Sequence, residues 1–249
     1  MTTSMRSLTS VVAAAHLIPS IDNERNHLLA AMTAEDYEQL APAFEVVQIR
    51  AKHVLTWPDE PLRYVYFPRT GVASMLVLME DGAAIQCAMI GSEGVIGLEM
   101  LLGNGNPIGE IVQVIDGQAV RVPAAVLRAR AELSGDLLAV LYRYSLDLMH
   151  QYARAVGCSR LHRVTERVAL WLLMCQDRVG CDTFPITHER MANVIGIRRA
   201  SVTQAAGTLQ RQGLIEYGRG SMTVHDRVGL EAIACEDYRP AGLLASAAD

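Results

Sequence analysis

"GIRRASVTQAAGTLQRQGLI", residues Gly196 to Ile215, puts two adjacent arginines after a glycine and then separates into two faces. Val202, Ala206 and Leu209 recur at i, i+4 and i+7, with Ala205 beside them, as the buried side of an amphipathic helix requires. The opposite stripe, Ala200, Gln204, Gly207 and Arg211 flanked by Ser201 and Thr208, is small or hydrogen-bonding. Upstream, "PITHERMANVI" reads as a preceding helix with Thr187 as its cap, Ala192 at a close crossing and Gly196 as the permissive turn. Downstream, "LIEYGRGSMTVHD" gives two short strand-like runs around Gly218 to Gly220, the pattern of a wing. Helix, tight turn, helix and wing in this order predict a face shaped for the major groove of double-stranded DNA. Arginine can pair with guanine and glutamine with adenine, while hydroxyls and a helix N-terminus suit phosphates. The candidate DNA-binding residues are Thr187, Arg198, Arg199, Ser201, Gln204, Thr208 and Arg211. The competing reading is a solvated face of an unrelated helical domain.

Charge supports the first reading. The chain of 249 residues carries a net −5, yet residues 160 to 225 hold nine arginines against five acids, a surplus of +4 that leaves −9 for the remainder. Positive charge is concentrated where phosphates would lie. Apolar residues make up 51% of the chain, but no uncharged run approaches the roughly 18 residues of a membrane span. The start, "MTTSMRSLTSVVAAAHLIPS", is a poor signal peptide because its basic region is thin and Pro19 and Ile21 stand where small cleavage-site residues belong. Cys87, Cys158, Cys175, Cys181 and Cys235 are odd in number and widely spaced, which points to reduced thiols and a cytoplasmic protein without a membrane partner.

Outward from the opening stretch, the chain divides into an N-terminal extension (1–25), a β-roll sensor domain (26–133), a dimerisation helix (134–157), a winged helix-turn-helix domain (158–239) and a C-terminal tail (240–249). "HLLAAMTAEDYEQLA" predicts short entry helices with Thr33 as a cap. Short β-branched or aromatic runs alternating with glycine turns then predict an antiparallel barrel or roll over about residues 44 to 123. In "GDLLAVLYRYSLDLMHQYARAVG", Leu137, Leu141, Tyr144, Leu148 and Ala155 follow alternating steps of four and three, with polar Gln151 in the remaining slot. This predicts either a homodimer seam or a helix packed lengthwise on the roll. Gly157 to Ser159 reads as a hinge before the next helix.

The order of roll, long helix, hinge and winged helix-turn-helix resembles the Crp/Fnr family of bacterial transcription regulators from about residue 25 onward, most closely in "ITHERMANVIGIRRASVTQAAGTLQRQGLI". The resemblance implies an α+β fold with a cyclic-nucleotide-binding-like roll. It also implies a homodimer on an inverted-repeat operator, RNA polymerase as a further partner, and Arg199, Ser201 and Gln204 at the DNA-contacting positions. Three departures put the usual half-sites in doubt. Ala200 stands where many members carry glutamate, Arg198 where a hydroxyl cap is common, and Gly207 where a basic residue is common.

The signal sensed is less legible. Cyclic-nucleotide-binding relatives carry Gly-Glu-Leu followed by Arg-Ser-Ala, whose arginine pairs with the phosphate. In "IGLEMLLGNGNPIGEI", Glu99 is displaced and Ile108 stands about where that arginine would be. An apolar side chain cannot replace a charge-assisted bond. Gly97, Glu99 and Ile108 are therefore effector-pocket candidates without an assigned effector, and Gly91, Gly94, Gly97, Gly103 and Gly105 read as roll turns. No cofactor or metal is assigned. Clustered N-terminal cysteines for an iron-sulfur centre are missing, and haem ligation by His53 or His150 has no support in spacing. A cyclic-nucleotide-, redox- or haem-responsive regulator remains the alternative. A cupin-like enzyme would need a histidine cluster, but His53 is alone between residues 28 and 149. No nucleophile elbow or phosphate-binding loop motif occurs either, so no enzyme is expected. A protein-binding scaffold would show no salt-sensitive DNA association.

Overall fold

The computed structural model describes residues 11–13, 20–58, 60–80, 84–101, 105–235 and 238. Most of the stretch read against a signal peptide, Gly103 and the C-terminal tail lie outside the described residues. Strand β1 (Val11–Ala13) precedes two short helices, α1 (His27–Ala30) and α2 (Ala34–Leu40). Both have local stop-and-start chemistry. Thr33 Oγ1 accepts from Asp36 N, as expected of a cap. Asn26, fully buried, accepts from Leu28 N and Leu29 N and donates to Pro68 O and Gly94 O at 2.8 Å each, so all its polar capacity is used in pinning α1 to the roll.

The roll comprises β2 (Glu45–Ile49), β3 (Val54–Thr56), β4 (Tyr64–Pro68), β5 (Val72–Leu78), β6 (Ala84–Ile90), β7 (Glu110–Ile115) and β8 (Gly117–Pro123). Among the described residues the strands form two antiparallel four-stranded sheets, ordered β1-β2-β8-β4 and β3-β7-β5-β6. Strands β2 to β8 lie within the expected roll, while β1, inside the expected N-terminal extension, pairs with β2 and so joins the first sheet. A short helix, α3 (Ala124–Leu133), leads to α4 (Gly135–Leu161), which is capped by Ser134 Oγ on Leu137 N.

Helix α4 corrects two expectations. It continues through Gly157 to Ser159 without a break, and the chain turns only at His162, whose backbone is extended (φ −102, ψ 147). Glycine lowers helix propensity but does not force an end, and these residues lack the proline or left-handed cap that would. The second correction concerns the expected seam. Leu137, Leu141, Tyr144 and Leu148 are buried in the core of the chain's own roll, so they cannot face a second subunit. Gln151, the polar slot, accepts from Met89 N at 3.2 Å and so satisfies a backbone donor of edge strand β6; Ala155 follows on the same inner face. At Gly94, which closes a turn through Gly91 O at 3.1 Å, the helix comes so close that a Cβ would collide with the Tyr144 hydroxyl, so close approach as well as the turn explains that glycine.

A different stripe of α4 is left outside. Ala139, Tyr142, Leu146, Met149, Ala153 and Val156, spaced by alternating threes and fours, are all exposed, with Tyr142, Leu146, Met149 and Val156 at 53–67%. After α4 come α5 (Val164–Val179), β9 (Thr183–Pro185), α6 (His188–Ile195), α7 (Arg199–Arg211), β10 (Ile215–Gly218), β11 (Ser221–Val224) and α8 (Arg227–Ile233). No helix among the described residues is long and apolar enough to cross a membrane.

The inner face of α4 should behave as core. Leu141→Ala is expected to lower the unfolding free energy by about 2–5 kcal/mol, measured by urea denaturation. A loss below about 1 kcal/mol would be inconsistent with the packing against the roll.

Candidate nucleic-acid interface

Helices α6 and α7 form the two arms of the motif read from the sequence. Thr187 Oγ1 accepts from Arg190 N, starting α6, and Gly196 closes it with φ +73 and ψ 41. A Cβ at Gly196 would lie 3.1 Å from Ala84 O, so the turn needs glycine both for its left-handed backbone and for its approach to the roll. Met191, Ala192, Val194 and Ile195 of α6 and Val202, Ala205, Ala206 and Leu209 of α7 are buried together, as the spacing predicts.

The opposite side of α7 is open. Arg198, Arg199, Ala200, Thr203, Gln204 and Arg211 are exposed, and Ser201 and Thr208 are partly so. Arg198 is the residue before the helix and makes no side-chain cap, so its guanidinium is not spent on the backbone of α7. Thr208 Oγ1 donates to Gln204 O at 3.1 Å and accepts from Arg211 Nη2 at 3.0 Å, which holds the arginine along the helix. Thr187 acts first as the α6 cap, so its hydroxyl is already engaged. The structure thus presents Arg198, Arg199, Ser201, Gln204, Thr208 and Arg211 on α7 or at its entry, with Thr187 at the start of the neighbouring helix.

Two groups on this surface escaped the sequence reading. Thr203, exposed on α7, hydrogen-bonds His188 Nδ1 at 3.1 Å, and the His188 ring stacks on Tyr217 of the wing at 3.9 Å between centroids. Burial, with the Arg199 charge nearby, holds the His188 pKa below its usual value, so the ring is neutral at pH 7. The second is Arg219. Strands β10 and β11 pair Gly218 with Ser221, leaving Arg219 (φ 52) and Gly220 (φ 80) as a two-residue turn with both φ angles positive. Arg219 is exposed at the tip of the wing. A non-glycine residue in that conformation is uncommon. The sequence signal was the Gly-Arg-Gly triplet itself, which marked the turn without marking the arginine as its apex.

The reading head is fixed to the roll. Trp171 Nε1 of α5 donates to Gln86 Oε1 of β6 at 2.9 Å, and Arg190 Nη1 of α6 donates to Val114 O of β7 at 2.9 Å. Arg178, 5% exposed, pairs with Glu93 at 2.8 Å and also donates to Met89 O and Met174 O. Roll residues Val72, Leu76, Met89, Val114 and Ile115 share one apolar core with α5, α6 and α7.

The effector-pocket candidates differ in exposure. Gly97 (φ +98) packs on Leu62 before a single 3₁₀ turn, Leu98–Leu101, that buries Glu99. Glu99 Oε1 is buried without a hydrogen-bond partner, and its charge, after burial, helps push the Tyr152 hydroxyl of α4 up to about 12. Ile108, by contrast, is 64% exposed.

Residues 166–233 match the family of Crp-like helix-turn-helix domains. The chain is 26% identical over 199 residues to the transcriptional regulator SdrP of Thermus thermophilus, a match covering 76% of this chain and 94% of that protein. Over 190 residues it is 26% identical to the global nitrogen regulator of a Nostoc species, covering 70% of this chain and 82% of that one. Its fold is shared with FixK2 from Bradyrhizobium japonicum (TM-score 0.66, 21% identity, 76% of this chain and 96% of that chain). A CRP-family transcriptional regulator of Thermus thermophilus gives a TM-score of 0.66 at 19% identity, covering 78% and 99%. The fold is therefore α+β, an antiparallel β-roll followed by a long helix and a winged helix-turn-helix, as in those structures. Residues 166–233 thus form a Crp-like helix-turn-helix domain, in a chain that is similar in sequence to transcriptional regulators and in fold to regulators of the Crp/Fnr family.

The wing tip and the helix should contribute differently to binding. Arg219→Ala is expected to weaken specific and random DNA alike and to reduce the slope of log affinity against log salt by about 0.9, read in a fluorescence titration. An unchanged slope would remove Arg219 from the phosphate contacts.

Proposed function

We propose that the protein binds an inverted-repeat operator as a homodimer in the cytoplasm, with the outer stripe of α4 as the two-fold seam. The observation that carries this reading is the exposed α7 face, where Arg199 and Gln204 stand clear of intramolecular side-chain hydrogen bonds among the described residues. Arg199, Ser201 and Gln204 then read base edges, while Arg198, Thr208, Arg211 and the N-terminus of α6 at Thr187 serve phosphates. Half-sites about one helical turn apart follow from the two-fold symmetry. Arg199→Ala should cost about 1–3 kcal/mol on the operator and relax preference at one base pair. Gel shifts against a randomised site would measure it, and equal losses on specific and random DNA would overturn the role.

The seam reading rests on Ala139, Tyr142, Leu146, Met149, Ala153 and Val156, an apolar row with coiled-coil spacing that the chain's own core leaves exposed. Division into a sensor roll, a dimerisation helix extending to Leu161 and a reading head fits this arrangement. Leu146→Glu with Met149→Glu is expected to yield monomers of unchanged helix content in sedimentation. Dimers that persist would move the interface off α4.

The sensor reading is that cyclic nucleotides are not the signal. Where the family arginine would meet a phosphate stands Ile108, in solvent, and the buried acid Glu99 with its unpartnered oxygen would repel an anion. Cyclic AMP and cyclic GMP at millimolar concentration should leave the melting temperature unchanged. A ligand at 100 times its dissociation constant would add about 2.7 kcal/mol, which a melt resolves easily.

A further inference from the structure

Three groups far apart in sequence meet where α4 ends. Cys158 lies in the last turn of α4, His162 is the residue that ends it, and Cys235 follows α8. Their ligand atoms all lie within 4.8 Å of one another. Cys158 and Cys235 are buried, 77 residues apart, and their sulfurs are 3.8 Å from each other. The sequence alone assigns no metal here and reads these cysteines as reduced thiols.

We propose that Cys158, His162 and Cys235 form a zinc site. The sulfur separation has the right size. Two thiolates about 2.3 Å from a tetrahedral zinc lie about 3.8 Å apart, whereas a disulfide would need about 2.05 Å. The donor set is also right, since two soft sulfurs and one imidazole in tetrahedral array select zinc over the hard divalent ions. Each thiol gives its proton to solvent as its sulfur binds, so one zinc releases two protons and the two thiolates balance the metal's charge. A neutral assembly can sit in a largely buried place without the cost of an unpaired charge. Three protein ligands leave the fourth position to water.

The ligands are held in place without the metal. Cys158 and His162 are four residues apart at the end of one helix, and His162 N bonds Cys158 O at 3.3 Å. Cys235 is carried by α8, which Arg227 fastens to α5 through Asp177 at 2.8 Å. Tyr238 donates to the same Asp177 at 2.9 Å and so pins the segment just beyond the cysteine. An occupied site would therefore tie the end of α4 to the far end of the DNA-binding domain, across the bend at His162.

The test is metal content of the untagged full-length protein purified without chelator, by mass spectrometry of the elements and of the intact native chain. One zinc per chain is expected in the wild type and in Cys181→Ser, and none in Cys158→Ser, Cys235→Ser or His162→Gln. Cobalt substituted for zinc should give a thiolate charge-transfer band that the same three variants abolish. Removing zinc should lower the melting temperature of the wild type and leave the Cys158→Ser protein unmoved. A metal-free wild type that takes up no zinc from a buffered chelator, or zinc that persists in Cys158→Ser and Cys235→Ser, overturns the proposal. So does a non-reduced mass two hydrogens light that maps to a Cys158–Cys235 disulfide. None of these readouts involves DNA, so failure here is separate from failure of the operator reading.

Discussion

Arg178 is the constraint on which the arrangement of the molecule depends. Its guanidinium is 5% exposed and is held by Glu93 of the roll, by Met89 O of β6 and by Met174 O of its own helix. A buried charge that lost one of these partners would be left partly unpaired, a state that costs several kcal/mol. The pair therefore admits few alternative positions of α5 against the roll, and α5 carries the rest of the reading head. Gly91 reinforces the point, because a Cβ there would strike the Arg178 side chain. The helix-turn-helix is not a bead on a string here. It shares an apolar core with the roll.

Helix α4 has to satisfy two faces at once. The inner one, Leu137, Leu141, Tyr144 and Leu148, completes the roll's core, and Gln151 continues that line by satisfying a strand-edge donor. The outer one leaves Tyr142, Leu146, Met149 and Val156 in solvent. Both stripes alternate threes and fours, so spacing alone cannot say which is internal. The inner stripe is the more uniformly leucine-rich, which makes it read as a seam. Its half-buried polar slot was the discriminating feature, because a glutamine that finds a backbone donor belongs against a strand edge more naturally than between two identical helices.

What could be read from the sequence was local, and what could not was long-range. The helix-turn-helix was legible because its cap at Thr187, its turn at Gly196 and its wing around Gly218 to Gly220 each act over a few residues and agree with one another. The roll was legible as a class, through strand runs and turns. The end of α4 was not, since Gly157 weakens a helix without ending it and its surroundings are open. Nor was the meeting of Cys158 with Cys235, which depends on α8 returning to the end of α4 across 77 residues. That Ile108 is exposed while Glu99 is buried likewise rests on tertiary packing, which a gap-free comparison of motifs cannot foresee.

The uneven charge makes this rigidity consequential. Residues 26–133 hold thirteen acids against seven bases, so a roll free to swing toward DNA would repel the phosphates that the +4 segment attracts. Fixing α5 and α6 to β6 and β7 through Trp171, Arg178 and Arg190 removes that freedom and keeps Arg198, Arg199, Arg211 and Arg219 on open surface. Short-range bonds are what distinguish one base from another, and the arginine, glutamine and hydroxyl groups exposed on α7 are of the kind that makes them, which a merely basic surface is not.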